Sequence, residues 1–259
     1  MSFELILATP PENCKNALLW GIPLAHMAYK TCGAYLYRAK LPDALRRGLM
    51  LITNMKASET RDTERLKRHI LSECANRSYS GVIADFEPPC PFAGNLLSAL
   101  NTELKRHRLA FYVSEWAAGF VNECKVILTT AVTGGTLLQR LKDCAQKYSR
   151  GNIILDLEIL SHDFLLPAHT GHGQRITHKR INELIEYTGA KPQFSEELCC
   201  HYFTYKSRQG LHFVLYDDSY SVYKKIELAQ KLGIEKAILF YPEVNSTIIE
   251  TALSFCSAL

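Results

Sequence analysis

Aliphatic and β-branched residues recur along the chain in short runs at 3–8, 33–38, 48–55, 81–87, 109–116, 124–132, 152–160, 211–217 and 236–241. Each run has the length and flanking turn residues of a buried strand. Between most of them the spacing changes to a helical period, predicting helices at 63–75, 95–108, 136–148, 176–188, 221–232 and 245–255. Leu137, Leu138, Leu141, Cys144, Ala145 and Tyr148 fall along one helix face, as expected of a helix that covers a sheet. Repeated strand–helix units imply a parallel sheet with right-handed crossovers. Eight such units in a chain of 259 residues predict an α/β fold of the TIM (β/α)8 barrel type, one domain spanning 1–259.

One stretch, 161–210, breaks the alternation. It holds a helix, the aromatic run Cys200-His201-Tyr202-Phe203-Thr204-Tyr205 and the polar turn Ser207-Arg208-Gln209-Gly210. This predicts a small α+β insertion on the barrel rim, before the last strands, with a hairpin closed by a glycine turn.

Composition narrows the function classes. The chain is 47% hydrophobic and 22% charged, with a net charge of +4 spread over interspersed acids and bases. No basic stripe argues for nucleic acid, and basic groups such as Lys105-Arg106-His107-Arg108 sit where a helix ends and complement its dipole. No apolar run approaches the roughly 20 residues of a membrane span. The first residues carry Glu4 inside a short apolar run and lack a basic leader, so a signal peptide is not expected and a cytoplasmic location is the default. Nine cysteines without a C-x-x-C pair indicate neither a disulfide framework nor a zinc site. No glycine-rich phosphate loop or nucleophile elbow is present, and no cofactor is expected.

The candidate chemistry lies where the run Gly81-Val82-Ile83-Ala84-Asp85-Phe86-Glu87 ends. Side chains alternate along a strand, so Asp85 and Glu87 share a face. In a pocket, repulsion and desolvation would raise one pKa, giving a proton donor beside an ionised partner. Glu115, at the end of the 109–116 run, and Asp156 and Glu158, on one face of 152–160, are further acids that a barrel would bring toward the same mouth. There they would bind substrate or complete a two-carboxylate site; otherwise they cap or pair with nearby bases. His162, Asp163, His169, His172, His178 and His201 form the densest histidine region. They lack the i, i+4 spacing of a zinc protease and read as a polar rim, so no metal is assigned.

The C-terminal third follows a specific order: Ile176-Thr177-His178-Lys179-Arg180-Ile181, the aromatic strand 200–205, the turn Gln209-Gly210, Phe213-Val214-Leu215-Tyr216-Asp217-Asp218, Ser221-x-x-x-Lys225, and Ala237-Ile238-Leu239-Phe240-Tyr241. In this order it resembles family 18 glycoside hydrolases, most closely the branch that includes bacterial spore cortex and spore germination hydrolases. The order of elements extends the resemblance over most of the chain, with 3–8 as the first strand, 81–87 as the fourth, and the 211 and 236 runs as a continuation of the seventh strand and the eighth strand. The family's fourth strand carries D-G-x-D-x-D-x-E. Gly81, Asp85 and Glu87 match it, whereas Ser80 and Ile83 stand at the first and middle aspartates.

What the resemblance implies is hydrolysis of an N-acetylglucosamine-containing glycan, peptidoglycan or chitin-like. Glu87 is then the general acid/base and Asp85 orients the substrate's N-acetyl group. The sugar's own acetamido oxygen is the nucleophile, outside the usual two-carboxylate scheme. Tyr241 occupies the place of the family's sugar-floor tryptophan. The Met-x-Tyr-Asp clamp of the sixth strand is replaced by Ile127-Leu128-Thr129-Thr130-Ala131. These departures support an alternative: an inactive barrel of the same descent that binds a glycan or a protein partner. A cell-wall substrate would associate the protein with a spore or cell wall. The oligomeric state is not encoded in any of these features.

Overall fold

Alternation along eight parallel strands sends one set of side chains into a barrel and the other set against a ring of helices. In the computed structural model, which describes residues 3–42, 45–54, 62–88, 90, 92–168 and 173–256, the barrel strands are Glu4–Thr9, Leu24–Cys32, Leu49–Asn54, Gly81–Asp85, Ala110–Ser114, Lys125–Thr129, Ile153–Asp156 and Lys236–Phe240. Each pairs in parallel with the next, and the first pairs with both the second and the eighth, which closes the TIM barrel. Ile6, Ala8, Leu51, Ile83, Tyr112, Ile154 and Ile238 fill the interior. Leu5, Leu7, Val82, Ala84, Val113, Leu155 and Leu239 face outward onto Leu66, Ile70, Leu96, Leu100, Leu141 and Ile226 of the covering helices. These helices start on side-chain caps: Asp62, Thr136, Thr177, Asp218 and Asn245 each accept the main-chain N–H three residues on.

Two strand expectations need correction. The second barrel strand is Leu24–Cys32, which the hydrophobic pattern passes over; the expected run at 33–38 contributes only Tyr35–Arg38, antiparallel to it at the outside. His26 and Lys30 interrupt the apolar signal. His26 is nonetheless buried, with Nε2 3.1 Å from the Arg47 carbonyl oxygen. The run at 211–217 does not continue the seventh strand: Leu211–Tyr216 lies in a second, antiparallel sheet, between Ser161–Leu166 and Cys200–Lys206. Gln174–Arg175 and Gln193–Ser195 are its edges. The expected hairpin is present in this sheet, closed over 207–210 with the Ser207 N–H donating to the Gly210 carbonyl. The 48–55 run ends on Met55, which lies outside the described residues.

A buried ion pair ties the second sheet to the barrel. Asp217, fully buried just past Leu211–Tyr216, takes a 2.6 Å bond from Lys225 Nζ and a 2.8 Å bond from the Leu160 N–H. Lys225 comes from the next helix, Ser219–Lys231, and Leu160 from the chain leaving the seventh strand. Burial pushes the Asp217 carboxyl pKa up, and the lysine and the Leu160 N–H oppose that rise. The neighbouring Asp218 instead caps the helix through the Ser221 N–H, at 2.9 Å.

Lys225→Met should therefore cost about 3–5 kcal/mol, because it leaves the Asp217 carboxylate buried without its cation. Urea unfolding at neutral pH will show the loss as a lower midpoint, and the double variant with Asp217→Asn should recover part of it.

Candidate functional site

Because the strands are parallel, all eight carboxyl ends open on one mouth, and side chains at those ends face each other across it. The cavity there has a volume of about 450 Å³ and is lined by Ala8, Met27, Leu51, Ile83, Asp85, Glu87, Ile127, Asp156, Glu158, Ile238, Phe240 and Glu243. Five of the twelve are carboxylates and seven are apolar, a combination that exposes acids to one another with little polar buffering.

Asp85 ends the fourth strand, and Glu87 follows two residues later, on the cavity side. Phe86, between them, is buried outward against Phe92, with ring centroids 6.0 Å apart. Neighbouring strands then fix the main chain of this short segment. Asn54, at the end of the third strand, donates from Nδ2 to the Glu87 carbonyl at 3.0 Å and accepts the Glu87 N–H at Oδ1 at 2.7 Å. Trp116, beyond the fifth strand, donates from its indole N–H to the Phe86 carbonyl at 2.6 Å. Glu87 thus stands on a backbone gripped from both sides although it lies past the strand. Gly81 begins the same strand where a Cβ would come within 2.4 Å of the Ala110 carbonyl oxygen, so the close approach of the fourth and fifth strands requires glycine.

Electrostatics follow from this packing. The Asp85 pKa is raised, chiefly by the protein crowded around the carboxylate and further by the charge of Glu87. Asp156, across the mouth on the seventh strand, is pushed up to about 7 by burial, then by Glu158, Asp85 and Glu243, with Lys225 opposing. Glu158 accepts a 3.0 Å bond from Thr129 Oγ1, and Glu243 pairs with Arg175 at 2.7 Å. A mouth of this kind holds a proton near neutral pH and offers several carboxylates that share it.

Of the residues expected at the site, Asp85, Glu87, Asp156 and Glu158 are brought together. Glu115 is not. The fifth strand ends at Ser114, and Glu115 opens a 3-10 turn directed outward, where it pairs with Arg140 at 2.8 Å. Tyr241 is also off the cavity: the last strand ends at Phe240, and Tyr241 opens a 3-10 turn and packs on the barrel–helix core. Phe240 is the aromatic side chain that lines the mouth. Glu243 and Asn54 were missed; the signal for Glu243 was its place three residues past the last strand, within the region that forms the rim. His169 and His172 lie outside the described residues. Among the described ones, Asp163 joins His212 at 2.9 Å and Tyr205 at 2.6 Å, and no three His, Cys, Asp or Glu side chains converge as metal ligands would. No helix among the described residues is long and apolar enough to cross a membrane.

Comparison with solved structures finds the same fold in glycan-cleaving enzymes. The spore cortex-lytic enzyme SleL of Bacillus megaterium QM B1551 matches at a TM-score of 0.72 and 15% identity, over 98% of this chain and 73% of that one. A chitinase from Chromobacterium violaceum ATCC 12472 matches at 0.75 and 14%, over 99% and 100% of the two chains. A class V chitinase from Nicotiana tobaccum, solved in complex with NAG4, matches at 0.69 and 11%, over 100% and 99%. At these identities the likeness establishes the fold. No protein-family model and no curated protein sequence matches the chain.

A carboxyl group whose folded pKa lies above its unfolded value binds more protons in the folded state, so it withdraws stability as pH rises from about 4 through about 7. Asp156→Asn should accordingly stabilise the protein at pH 8 and do so much less at pH 4. A shift of this size corresponds to about 4 kcal/mol, and water in the mouth should screen it to about 2. Chemical denaturation of both proteins across this pH range measures the difference directly.

Proposed function

We propose that the chain is a glycoside hydrolase acting on an N-acetylglucosamine-containing glycan of the peptidoglycan or chitin type. The observation that carries this reading is the Asp85–Glu87 pair at the end of the fourth strand, on a cavity that also holds Asp156, Glu158 and the aromatic ring of Phe240. The shared fold of the cortex-lytic enzyme and the chitinases supports it.

In this mechanism Glu87 protonates the glycosidic oxygen as the bond to the anomeric carbon breaks. The acetamido oxygen of the same sugar attacks that carbon from the other face, forming a cyclic oxazolinium ion. Glu87, now ionised, takes a proton from water as the water opens the ring, which returns the acid to its starting state. Asp85 orients the acetamido group. Its raised pKa keeps a proton in the pair to higher pH than an isolated aspartate would, and that proton is available as a hydrogen-bond donor. Phe240 supplies a flat apolar surface for a pyranose ring. Asn54 and Trp116 act as positioning residues, since they hold the main chain that carries Glu87.

A second reading, glycan binding without turnover, is favoured by Ile83 and Ile127, which put apolar surface on the cavity wall where the resembling family places an aspartate and part of its acetamido clamp.

The two readings separate in one experiment. Incubation with chito-oligosaccharides and muropeptides, followed by mass spectrometry, should give products that fall at least about 100-fold in Glu87→Gln while oligosaccharide binding persists. Binding with no products from either protein would establish the second reading instead, and no binding from either would reject both.

A further inference from the structure

We infer that the second sheet carries an acyl-transfer site of its own, acting on short acyl esters, with Ser207 as nucleophile, His212 as base and Asp163 orienting the base. None of the three lines the barrel mouth, so the inference is independent of the glycan reading.

Strand register brings the groups together. Leu211–Tyr216 pairs on one edge with Ser161–Leu166, where Val214 stands opposite Asp163, and on the other with Cys200–Lys206, where His212 stands opposite Tyr205. One face of a sheet repeats every second residue, so His212, Asp163 and Tyr205 share a face. His212 Nδ1 lies 2.9 Å from Asp163 Oδ1. Its Nε2 lies 2.9 Å from the Oγ of Ser207, in the turn that closes the hairpin. Tyr205 stacks on the imidazole, with centroids 4.5 Å apart and planes at 15°, and donates its hydroxyl to Asp163 Oδ2 at 2.6 Å. Burial first, then the bond to Asp163, push the Tyr205 hydroxyl pKa up, so that it stays a donor. The imidazole is thus held by one face and one nitrogen, and the other nitrogen is left for Ser207.

Hydrogen-bonding capacity sets the direction of each proton. A carboxylate only accepts, so His212 Nδ1 carries the hydrogen and Nε2 presents its lone pair. Ser207 Oγ accepts the Gln209 N–H at 3.0 Å, and its own hydrogen remains for Nε2. A hydroxyl bonded to a base that a third group orients is the arrangement that activates a serine. The His212 and Asp163 side chains are only 11% and 12% exposed, whereas Ser207 is exposed on the turn, within reach of a substrate. The turn itself is fixed by the Ser207 N–H donating to the Gly210 carbonyl at 2.9 Å, with Gly210 at a φ of 147° that favours glycine. The N–H of Arg208, the residue after the nucleophile, makes no hydrogen bond among the described residues and is the donor available to an oxyanion. Leu165 stands opposite His212 on the same face, 44% exposed, and its Cδ1 lies 3.3 Å from where a Cβ on Gly210 would be. That small apolar surface beside the turn suits a short acyl group.

In the reaction Ser207 Oγ bonds to the ester carbonyl carbon, its proton passes to His212 Nε2, and the carbonyl π pair moves onto oxygen. The tetrahedral species collapses, the bond to the alcohol oxygen breaks, and His212 returns the proton to that oxygen. Water then repeats the sequence on the acyl-serine, releasing a carboxylic acid and restoring Ser207.

The test treats the purified full chain with a fluorophosphonate, which phosphonylates activated serines, and maps the adduct by peptide mass spectrometry. Hydrolysis of p-nitrophenyl acetate is followed in parallel. We expect the adduct on Ser207, and none there in heat-unfolded protein. Ser207→Ala, at an exposed position, should lower ester hydrolysis at least about tenfold, and His212→Gln should slow labelling at least about 100-fold. Asp163→Asn should slow both while leaving Ser207 in place, and each variant is confirmed folded by its thermal transition. Should His212→Gln fail to fold, the adduct position and the Ser207→Ala rate decide alone. No adduct on Ser207 while a known serine esterase is labelled alongside overturns the inference. Labelling as fast in His212→Gln as in the unsubstituted chain, or ester hydrolysis unchanged in Ser207→Ala, also overturns it.

Discussion

Closure of the parallel barrel is the constraint on which the rest depends. The first strand must find partners on both edges, Leu24–Cys32 and Lys236–Phe240, or two rows of main-chain donors and acceptors are left open. Once the ring is closed with every strand running the same way, alternation leaves no choice about what meets at the mouth. Asp85 follows Gly81 and Ile83 on the inner face, and Asp156 follows Ile154. Asp85, 71 positions away in sequence, then raises the proton affinity of Asp156, because closure has placed the two in one space.

The buried Asp217–Lys225 pair links this barrel to the second sheet and reaches the same chemistry. It holds the start of helix Ser219–Lys231 against the chain leaving the seventh strand, through the Leu160 N–H. Two charges withdrawn from water are costly to fold, and the pair is worth keeping as a specific connection more than as a source of stability. Lys225 is also the group that opposes the rise in the Asp156 pKa, so one buried cation serves the joint between sheets and moderates Asp156.

How far the sequence reveals this arrangement depends on the range of the signal. A period of two is local, so the shared face of Asp85 and Glu87 and of Asp156 and Glu158 was legible without any tertiary knowledge. The strand–helix alternation likewise gave the barrel. The second strand was illegible because His26, buried and bonded to Arg47 from a different segment, and the exposed Lys30 break its apolar run. Tyr241 was misplaced because the last strand stops at Phe240, whose ring faces the mouth, and Tyr241 starts a 3-10 turn that packs on the outer core. Glu115 was misplaced because the strand stops one residue short of it and Arg140, 25 positions on, draws it outward. The grip of Asn54 on Glu87 joins residues 33 apart and has no local pattern at all.

The apolar positions in the mouth bear on how its acids work. Ile83 and Ile127 line the mouth without adding charge or hydrogen bonds. A carboxyl group can be kept protonated in two ways, by a nearby negative charge or by removing the water that stabilises its ionised form. For both Asp85 and Asp156 the larger cause is loss of water, with the neighbouring carboxylates second. Isoleucines on the wall therefore contribute to the same end that extra aspartates would serve by repulsion. Apolar residues on the wall thus raise the proton affinity of these acids without adding charge.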